Sequence, residues 1–361
     1  MQSSGRLGFV TIVILVMLAL PQGPSTDAQD KGQVVVASYG GAYQDAQRKA
    51  FFEPFEKETG IKVVEATGVS LAKLKAMITS KNVEWDVADM TSQVFLILGK
   101  NNMLEKIDYT GFNKSVLSEM EPQAVKPLGL GTVFYSNVIA FNTKRFPKGK
   151  HPASWADVWD VQRFPGPRIL HAGDFVVTPI EYALVADGVL PDKLYPLDFE
   201  RAYRSLSKIR PHVVKWAKTA AEPPQALVDG EAHITVASYG RIAELMDKGA
   251  PIDFEWNQAL LSLDYWAIPK GARNYQNALK FIDFASRADR LADLCRRMPY
   301  GPANRRSFEF IPPEMARRLA SYPDNMKKQI WVNDEWWAQT DASGKSNVEK
   351  NIEMWNTWIT R

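Results

Sequence analysis

Val36-Ala37-Ser38-Tyr39-Gly40 and Val236-Ala237-Ser238-Tyr239-Gly240 are the same five residues in the two halves of a chain of 361 residues. Each copy ends a short β-branched run, and a Tyr-Gly turn and a helical pattern follow it. A strand-loop-helix order of this kind places the loop at the carboxyl end of a sheet, where open α/β sheets bind ligands. The two copies therefore predict two similar lobes with candidate ligand-binding loops.

The amino-terminal residues have the pattern of an export signal. One positive charge, Arg6, precedes an apolar run from Leu7 to Leu20, which is shorter than the roughly 20 residues that a membrane-spanning helix needs. Pro21 ends the run, and the small residues near Ala28 offer a cleavage site. We predict a signal peptide over residues 1–28 and export to the periplasm; the alternative is an uncleaved amino-terminal anchor.

Composition excludes several classes of function. The formal net charge of +3 is close to neutral and does not predict binding to nucleic acid, which requires clustered Lys and Arg on one face. The single cysteine, Cys295, follows a helical apolar pattern, so we expect a buried, inert thiol and no disulfide within the chain. We expect a monomer without a cofactor, whose stability depends on a large hydrophobic core.

Strand and helix patterns alternate along the chain after the signal segment. Val34–Ala37, Ile61–Val64 and Trp85–Ala88 are strand-like, and helical patterns separate them. Such alternation predicts α/β lobes with parallel sheets. We place lobe 1 at residues 29–139 plus 269–325, and lobe 2 at residues 140–268 plus 326–361, with crossover strands near residues 139 and 268 and a return to lobe 2 after residue 325. The tryptophan-rich tail is expected to end in a packed helix.

Motifs for catalysis are missing from the sequence. The four histidines lie far apart, no nucleophile elbow occurs, and Gly344-Lys345-Ser346 lacks the first glycine and the strand of a phosphate-binding loop. No pair of carboxylates has a spacing that indicates acid-base chemistry. A secreted hydrolase with a cleft between two lobes stays open as an alternative, but the sequence indicates no nucleophile and base for it.

Five short blocks resemble one protein family. They are Phe55–Val63, Ser154–Trp159, Asp229–Glu231, Ala267–Ala272 and Pro299–Asn304. In this order they are similar to the extracellular solute-binding proteins of bacterial ABC importers, of the spermidine/putrescine-binding type. The resemblance covers the chain from Val34 to about Phe308. It implies the type II periplasmic binding fold, with two α/β lobes, two crossover strands, an interlobe cleft that closes on a ligand, and an inner-membrane permease as partner.

The resemblance also implies roles for single residues. Tyr39 matches an aromatic residue that stacks on the ligand, Asp174 matches a carboxylate of the second lobe, and Asp264 matches the carboxylate that meets an amine. Gln93 and Ser238 stand at or near positions where polyamine binders often carry aromatic residues. These departures, together with Ser262, leave the aromatic box for a linear polyamine incomplete.

Physical chemistry favours a ligand that carries an amine. A buried ammonium needs a carboxylate, and an aromatic face adds about 0.5 to 2 kcal/mol, so Tyr39 and Asp264 could hold one amine. Arg241 follows the second Tyr-Gly turn and could hold a carboxylate or phosphonate. The complete set of candidate binding residues is Ser38, Tyr39, Gly40, Gly41, Gln93, Asp174, Ser238, Tyr239, Arg241 and Asp264.

Two ligand classes and several structural alternatives stay open. A polyamine such as putrescine or spermidine would require two acidic ends, whereas a zwitterion such as 4-aminobutyrate or aminoethylphosphonate would require one acidic and one basic end. The residues slightly favour the zwitterion. Alternatively, Tyr39 packs under its loop, Asp174 caps a helix, Asp264 pairs with a nearby cation, and Arg241 points to solvent.

Overall fold

The computed structural model describes residues 1, 32–147, 149–174 and 178–361. The predicted signal peptide therefore lies outside the described residues, except for Met1. Within the described ranges, no helix has both the length and the apolar character needed to cross a membrane. Residues 32–361 form one compact unit.

One continuous mixed sheet runs through this unit. Its strands are β1 Gln33–Ser38, β2 Lys62–Thr67, β3 Val87–Thr91, β4 Val125–Lys126, β5 Gly129–Asn142, β6 Arg168–His171, β7 Val213–Ala217, β8 Ile234–Ser238, β9 Ile252–Ala267, β10 Gly301–Pro302 and β11 Ile330–Trp331. The main path has the order β2-β1-β3-β9-β5-β8-β6-β7. Parallel pairing joins β2, β1 and β3 at one end and β8, β6 and β7 at the other. These two parallel sets confirm the predicted α/β class.

The long strands β5 and β9 join the two parallel sets. They pair with each other in antiparallel register from Gly129 opposite Ala267 to Asn142 opposite Ile252. β9 also pairs with β3, and β5 pairs with β8, both antiparallel. The chain thus connects the two halves of the sheet through two adjacent extended segments.

Helices pack beside these strands. Their bounds are α1 Gly41–Gln47, α2 Glu53–Thr59, α3 Leu71–Thr79, α4 Ser92–Lys100, α5 Lys114–Glu119, α6 Trp155–Trp159, α7 Ile180–Ala186, α8 Phe199–Ile209, α9 Glu222–Asp229, α10 Tyr239–Asp247, α11 Tyr275–Ala285, α12 Ala288–Arg297, α13 Pro313–Ala316, α14 Pro323–Met326, α15 Asp334–Trp337 and α16 Asn347–Ile359. A π-helical turn, Arg48–Phe52, connects α1 to α2. Pro54 lies in the first turn of α2, where its missing N–H costs no helical hydrogen bond.

Local side-chain chemistry sets several helix ends. The side chain of Ser70 accepts a hydrogen bond from the backbone N–H of Lys73 at the start of α3, and Asp198 does the same for Arg201 at the start of α8. Gly60 ends α2 with a left-handed φ of 73°, a conformation that glycine adopts without steric cost. Ser and Asp are residue types that commonly begin helices, and Gly is the type that most often ends them.

The hydrophobic core separates into clusters on the two halves of the sheet. The first cluster takes residues between 34 and 134 and between 261 and 320. Two further clusters take residues between 138 and 260, and one of them adds residues 330–358 from the tail. Trp355 packs against Trp216 in that cluster, and Cys295 is buried in the first. The exact lobe boundaries stay a prediction.

Candidate ligand-binding cleft

A cleft of about 600 Å³ lies where the two parallel halves of the sheet meet. Tyr39 to Tyr43, at the carboxyl end of β1 and the start of α1, form one wall, and Ser238, Gly240 and Arg241, at the end of β8 and the start of α10, form the opposite one. Of the ten predicted binding residues, six line this cleft: Tyr39, Gly40, Gly41, Ser238, Arg241 and Asp264. The twin loops therefore lie on the same cleft.

Asp264 is a buried acidic residue in the lining of the cleft. It is on β9, directly opposite Thr91 of β3, and only 8% of its surface is exposed. Its Oδ1 atom is buried without a hydrogen-bond partner among the described residues. Burial, followed by repulsion from Asp89 and Asp334, raises the pKa of Asp264 well above its usual value. A carboxylate in this state lacks a countercharge, which an ammonium group would supply.

Asp89 is a second buried carboxylate at this end, and sequence reasoning missed it. It is fully buried on β3, and its Oδ2 atom accepts hydrogen bonds from the hydroxyl of Tyr43 at 2.9 Å and the amide of Gln47 at 2.7 Å. Burial raises the pKa of Asp89 to about 7. The sequence does contain a sign of a functional role for Asp89, because it lies between the apolar residues Ala88 and Met90 of a buried strand. An unpaired charge in such a position is costly in free energy.

Four tyrosines form an aromatic wall around Asp264. The rings of Tyr39 and Tyr43 lie 6.3 Å apart, those of Tyr43 and Tyr300 lie 5.3 Å apart edge to face, and Tyr135 also lines the cleft. Tyr39 exposes 41% of its surface. Burial raises the pKa of all four hydroxyls, that of Tyr300 to about 12, so they stay neutral at physiological pH. Only Tyr39 was predicted.

Arg241 supplies positive charge at the opposite wall. It lies in the first turn of α10 with its side chain exposed, and no described residue forms an ion pair or hydrogen bond with its guanidinium. Ser238, the N-cap residue of α10, does not use its hydroxyl to cap the helix. Two donors therefore face the cleft next to a helix amino terminus, an arrangement that suits an anionic group.

Tyr300 lies within electrostatic reach of both charged ends. The negative charge of Asp264 raises its pKa and the positive charge of Arg241 lowers it. His171 also lines the cleft, but burial lowers its pKa to about 4, so it stays neutral at physiological pH. The cleft thus has an acidic end at Asp264 and a basic side chain at Arg241, while Glu244, which also lines the cleft, pairs with Lys248 at 2.6 Å.

Four predicted residues do not line the cleft. Asp174 pairs with Lys218 at 3.0 Å, and its neighbours 175–177 lie outside the described residues. The side chain of Ser38 is fully buried, and Gln93 lines a narrow cavity of about 30 Å³ that shares Tyr135 with the cleft. Their roles in binding stay predictions.

Tyr239, the fourth, differs from its twin Tyr39 for a local reason. Gly40 and Gly41 adopt positive φ angles of 76° and 59°, so α1 starts after the Tyr-Gly turn and Tyr39 lies in the loop. In the second copy, α10 starts at Tyr239 itself, whose ring is buried against Phe254 and Trp256. The same five residues therefore place one tyrosine in the cleft and one in the core.

Comparison with known proteins agrees with this architecture. The family model of the bacterial extracellular solute-binding proteins matches residues 50–325. The gamma-aminobutyric acid-binding protein of Pseudomonas aeruginosa is 31% identical over 354 residues, which cover 96% of this chain and 96% of that protein. The spermidine/putrescine-binding periplasmic protein of Escherichia coli is 28% identical over 297 residues, which cover 78% of this chain and 82% of that protein.

Solved structures are similar over nearly the whole described chain. The structure of the Atu4243-GABA receptor superimposes with a TM-score of 0.80 at 33% identity and covers 90% of this chain and 97% of that one. These named relatives are binding proteins, so the comparisons do not support the hydrolase alternative. Among the described residues, no group of three or more His, Cys, Asp or Glu side chains could hold a metal ion.

Proposed function

This chain belongs to the bacterial extracellular solute-binding proteins, and on that basis we propose that it captures a small zwitterion with separated amine and acid groups for an ABC importer. The ω-amino acid 4-aminobutyrate is the type example of this class. The carrying observation is that one cleft has an acidic end at Asp264 and a basic end at Arg241, neither paired with an opposite charge among the described residues.

At the acidic end, the ammonium group binds the carboxylate of Asp264 between the tyrosine rings. An aromatic face contributes about 0.5 to 2 kcal/mol to such binding, and Tyr39 is the most exposed of the four rings. The buried carboxylate is then neutralised in a low-dielectric environment, which makes the ion pair strong.

At the basic end, Arg241 and Ser238 bind the carboxylate group. A guanidinium can donate two parallel hydrogen bonds to a carboxylate, and the first turn of α10 adds its positive end. The second ammonium of putrescine would meet Arg241 instead and be repelled. The name of the Pseudomonas relative supports the zwitterion, and that of the Escherichia relative supports the polyamine.

Delivery requires export and a partner in the membrane. We propose that residues 1–28 direct the chain to the periplasm, where the ligand-bound form is recognised by an inner-membrane permease. This assignment follows from family membership and from the amino-terminal sequence pattern.

Calorimetry with four matched compounds tests the ligand class. We expect 4-aminobutyrate to bind more tightly than putrescine, and also more tightly than butylamine or butyrate, which each retain only one charged end. Arg241→Ala should remove the preference of 4-aminobutyrate over butylamine, while Arg204→Ala on the exposed face of α8 should leave it intact. Binding of putrescine with no binding of 4-aminobutyrate would contradict the proposal.

A further inference from the structure

Asp89 and Asp264 lie on neighbouring strands and on the same face of the sheet. Asp89 pairs with Trp266 and Thr91 pairs with Asp264 in the antiparallel register of β3 and β9. Residues paired across two strands point to the same face of the sheet, and so do residues two positions apart on one strand. Asp89 and Asp264 are therefore diagonal neighbours on one face, and such neighbours lie about 7 to 8 Å apart. The two carboxylates interact over this diagonal through their charges: after burial, repulsion from Asp89 is the next cause that raises the pKa of Asp264.

Within the ranges that the structure describes, neither carboxylate forms an ion pair with a Lys, Arg or His side chain. Their exposed fractions are 0% for Asp89 and 8% for Asp264, and each has a buried Oδ1 atom without a hydrogen-bond partner among the described residues. Two buried negative charges in this arrangement repel each other and are poorly solvated. Holding one proton between them removes most of that cost.

We propose that Asp89 and Asp264 together hold one proton in the ligand-free protein, and that a ligand ammonium displaces this proton when it binds. The inference rests on the proposed amine-bearing ligand and assigns Asp89 as the residue that couples binding to pH. In the exchange, the O–H bond of the protonated carboxyl breaks, the electron pair stays on the carboxylate, and the proton passes to solvent. The incoming ammonium takes its place, so the net charge of the site is conserved.

Hydrogen bonding indicates which acid carries the proton. Asp89 accepts two hydrogen bonds, from Tyr43 and Gln47, and such donors favour the ionised form. Asp264 accepts none from the described residues and lines the cleft. The proton therefore resides mainly on Asp264, where an ammonium can replace it.

The titration of the pair can be distinguished from that of the other titratable and charged groups around it. The groups that interact electrostatically with Asp89 or Asp264 are Asp334 and the four tyrosines Tyr39, Tyr43, Tyr135 and Tyr300. Arg241 interacts with Tyr300. The tyrosines stay neutral at neutral pH, because burial raises their pKa values. Asp334 has a pKa raised to about 7 by burial, so it titrates in the same range. Asp334→Asn therefore serves as the control for its contribution.

The first experiment counts protons by calorimetry. The binding enthalpy of 4-aminobutyrate, and of putrescine as a second amine, is measured at one pH in buffers of different ionisation enthalpy. At pH 6.5 to 7 we expect release of up to about one proton per ligand, with affinity rising by up to about tenfold per pH unit until the pair is ionised. The charges of the ligands themselves stay constant between about pH 5.5 and 8.5. Asp89→Asn should reduce proton release more than Asp334→Asn does, because repulsion from Asp89 raises the pKa of Asp264 more than repulsion from Asp334 does.

The second experiment needs no ligand. A carboxyl whose pKa is raised on folding stabilises the protein at low pH, and this contribution decreases as pH rises from the unfolded value of about 4 to the folded value. Thermal melts of the ligand-free protein should therefore show that raising the pH from 5 to 8 destabilises wild type more than Asp89→Asn. Other titrating groups are common to both proteins and cancel in the difference.

The outcomes separate this inference from the proposed function. Amine binding without proton release, or identical pH dependence of wild type and Asp89→Asn in the absence of ligand, overturns the exchange and leaves the ligand class standing. If the pair titrates but neither amine binds, both the ligand class and the exchange are wrong. If Asp89→Asn does not fold, the buffer dependence of the wild-type protein still decides the question.

Discussion

Replacing Asp264 by asparagine should weaken binding and stabilise the ligand-free protein. The substitution keeps the size of a side chain that is only 8% exposed, but it removes the charge that meets the ammonium. Loss of one partner of a buried charged pair costs 2 to 5 kcal/mol or more. In the wild-type protein, Asp264 must lose its proton before it can form the ion pair. This deprotonation costs about 1.36 kcal/mol for each unit by which the pKa of Asp264 exceeds the pH, and it offsets part of the ion-pair energy.

These opposing contributions set the expected magnitude. At neutral pH we expect a net loss of about 2 kcal/mol, which is about thirtyfold in affinity. The loss should grow as pH rises to 8.5, because the proton of Asp264 then costs less to remove. At pH 8.5, where Asp264 of the ligand-free wild-type protein is more fully ionised, the neutral amide no longer repels Asp89, so the melting temperature should rise by a few degrees.

Calorimetry and thermal melts of the same samples measure both effects. Asp192→Asn, which removes an exposed carboxylate from the segment Pro191–Lys193, is the matched control and should change neither quantity. Wild-type affinity in a folded Asp264→Asn protein would refute the assignment of Asp264 as the countercharge. A lower melting temperature would refute the argument that its charge is uncompensated.

Two further predictions concern motion and stability. Along the main path of the sheet, only β5 and β9 connect its two parallel halves, so we expect the halves to close over a bound ligand. Small-angle scattering should then show a smaller radius of gyration with ligand. An unchanged scattering profile at saturating ligand would contradict closure. Trp355→Ala should lower the free energy of unfolding by about 3 to 5 kcal/mol, because the ring is 2% exposed and packs against Trp216 and Trp358. Chemical denaturation measures this loss. As a control, Asn356→Ala at the exposed neighbouring position should change the free energy of unfolding little.

Local features of the fold could be predicted well. The strand-like stretches Val34–Ala37 and Ile61–Val64 correspond to β1 Gln33–Ser38 and β2 Lys62–Thr67, and Ser70 and Asp198 cap helices as their side-chain types favour. Such features depend on interactions between residues a few positions apart, which the sequence displays directly. The family resemblance seen in five short blocks is confirmed by the match over residues 50–325.

The residues that line the candidate cleft were harder to predict, because their positions depend on pairing between strands that are distant in sequence. Asp89 lies in β3, whose antiparallel partner β9 is distant in sequence. The position of Asp89 next to Asp264 could therefore not be predicted without the register of the two strands. Tyr43 and Tyr300 reach the same wall from α1 and from the segment after α12. Asp174 was carried over by resemblance, but its carboxylate pairs with Lys218 outside the lining of the cleft.

The sequence by itself determined the alternation of strands and helices, the family and an amine-compatible pair of residues, Tyr39 and Asp264. Only the tertiary structure decided that Tyr39 lines the cleft while its twin Tyr239 is buried, and that Asp264 has Asp89 as a neighbour. The physical reason is that periodicity and capping are local, whereas the desolvation and repulsion of a carboxylate depend on everything packed around it. Burial and long-range register therefore set the charge of this cleft.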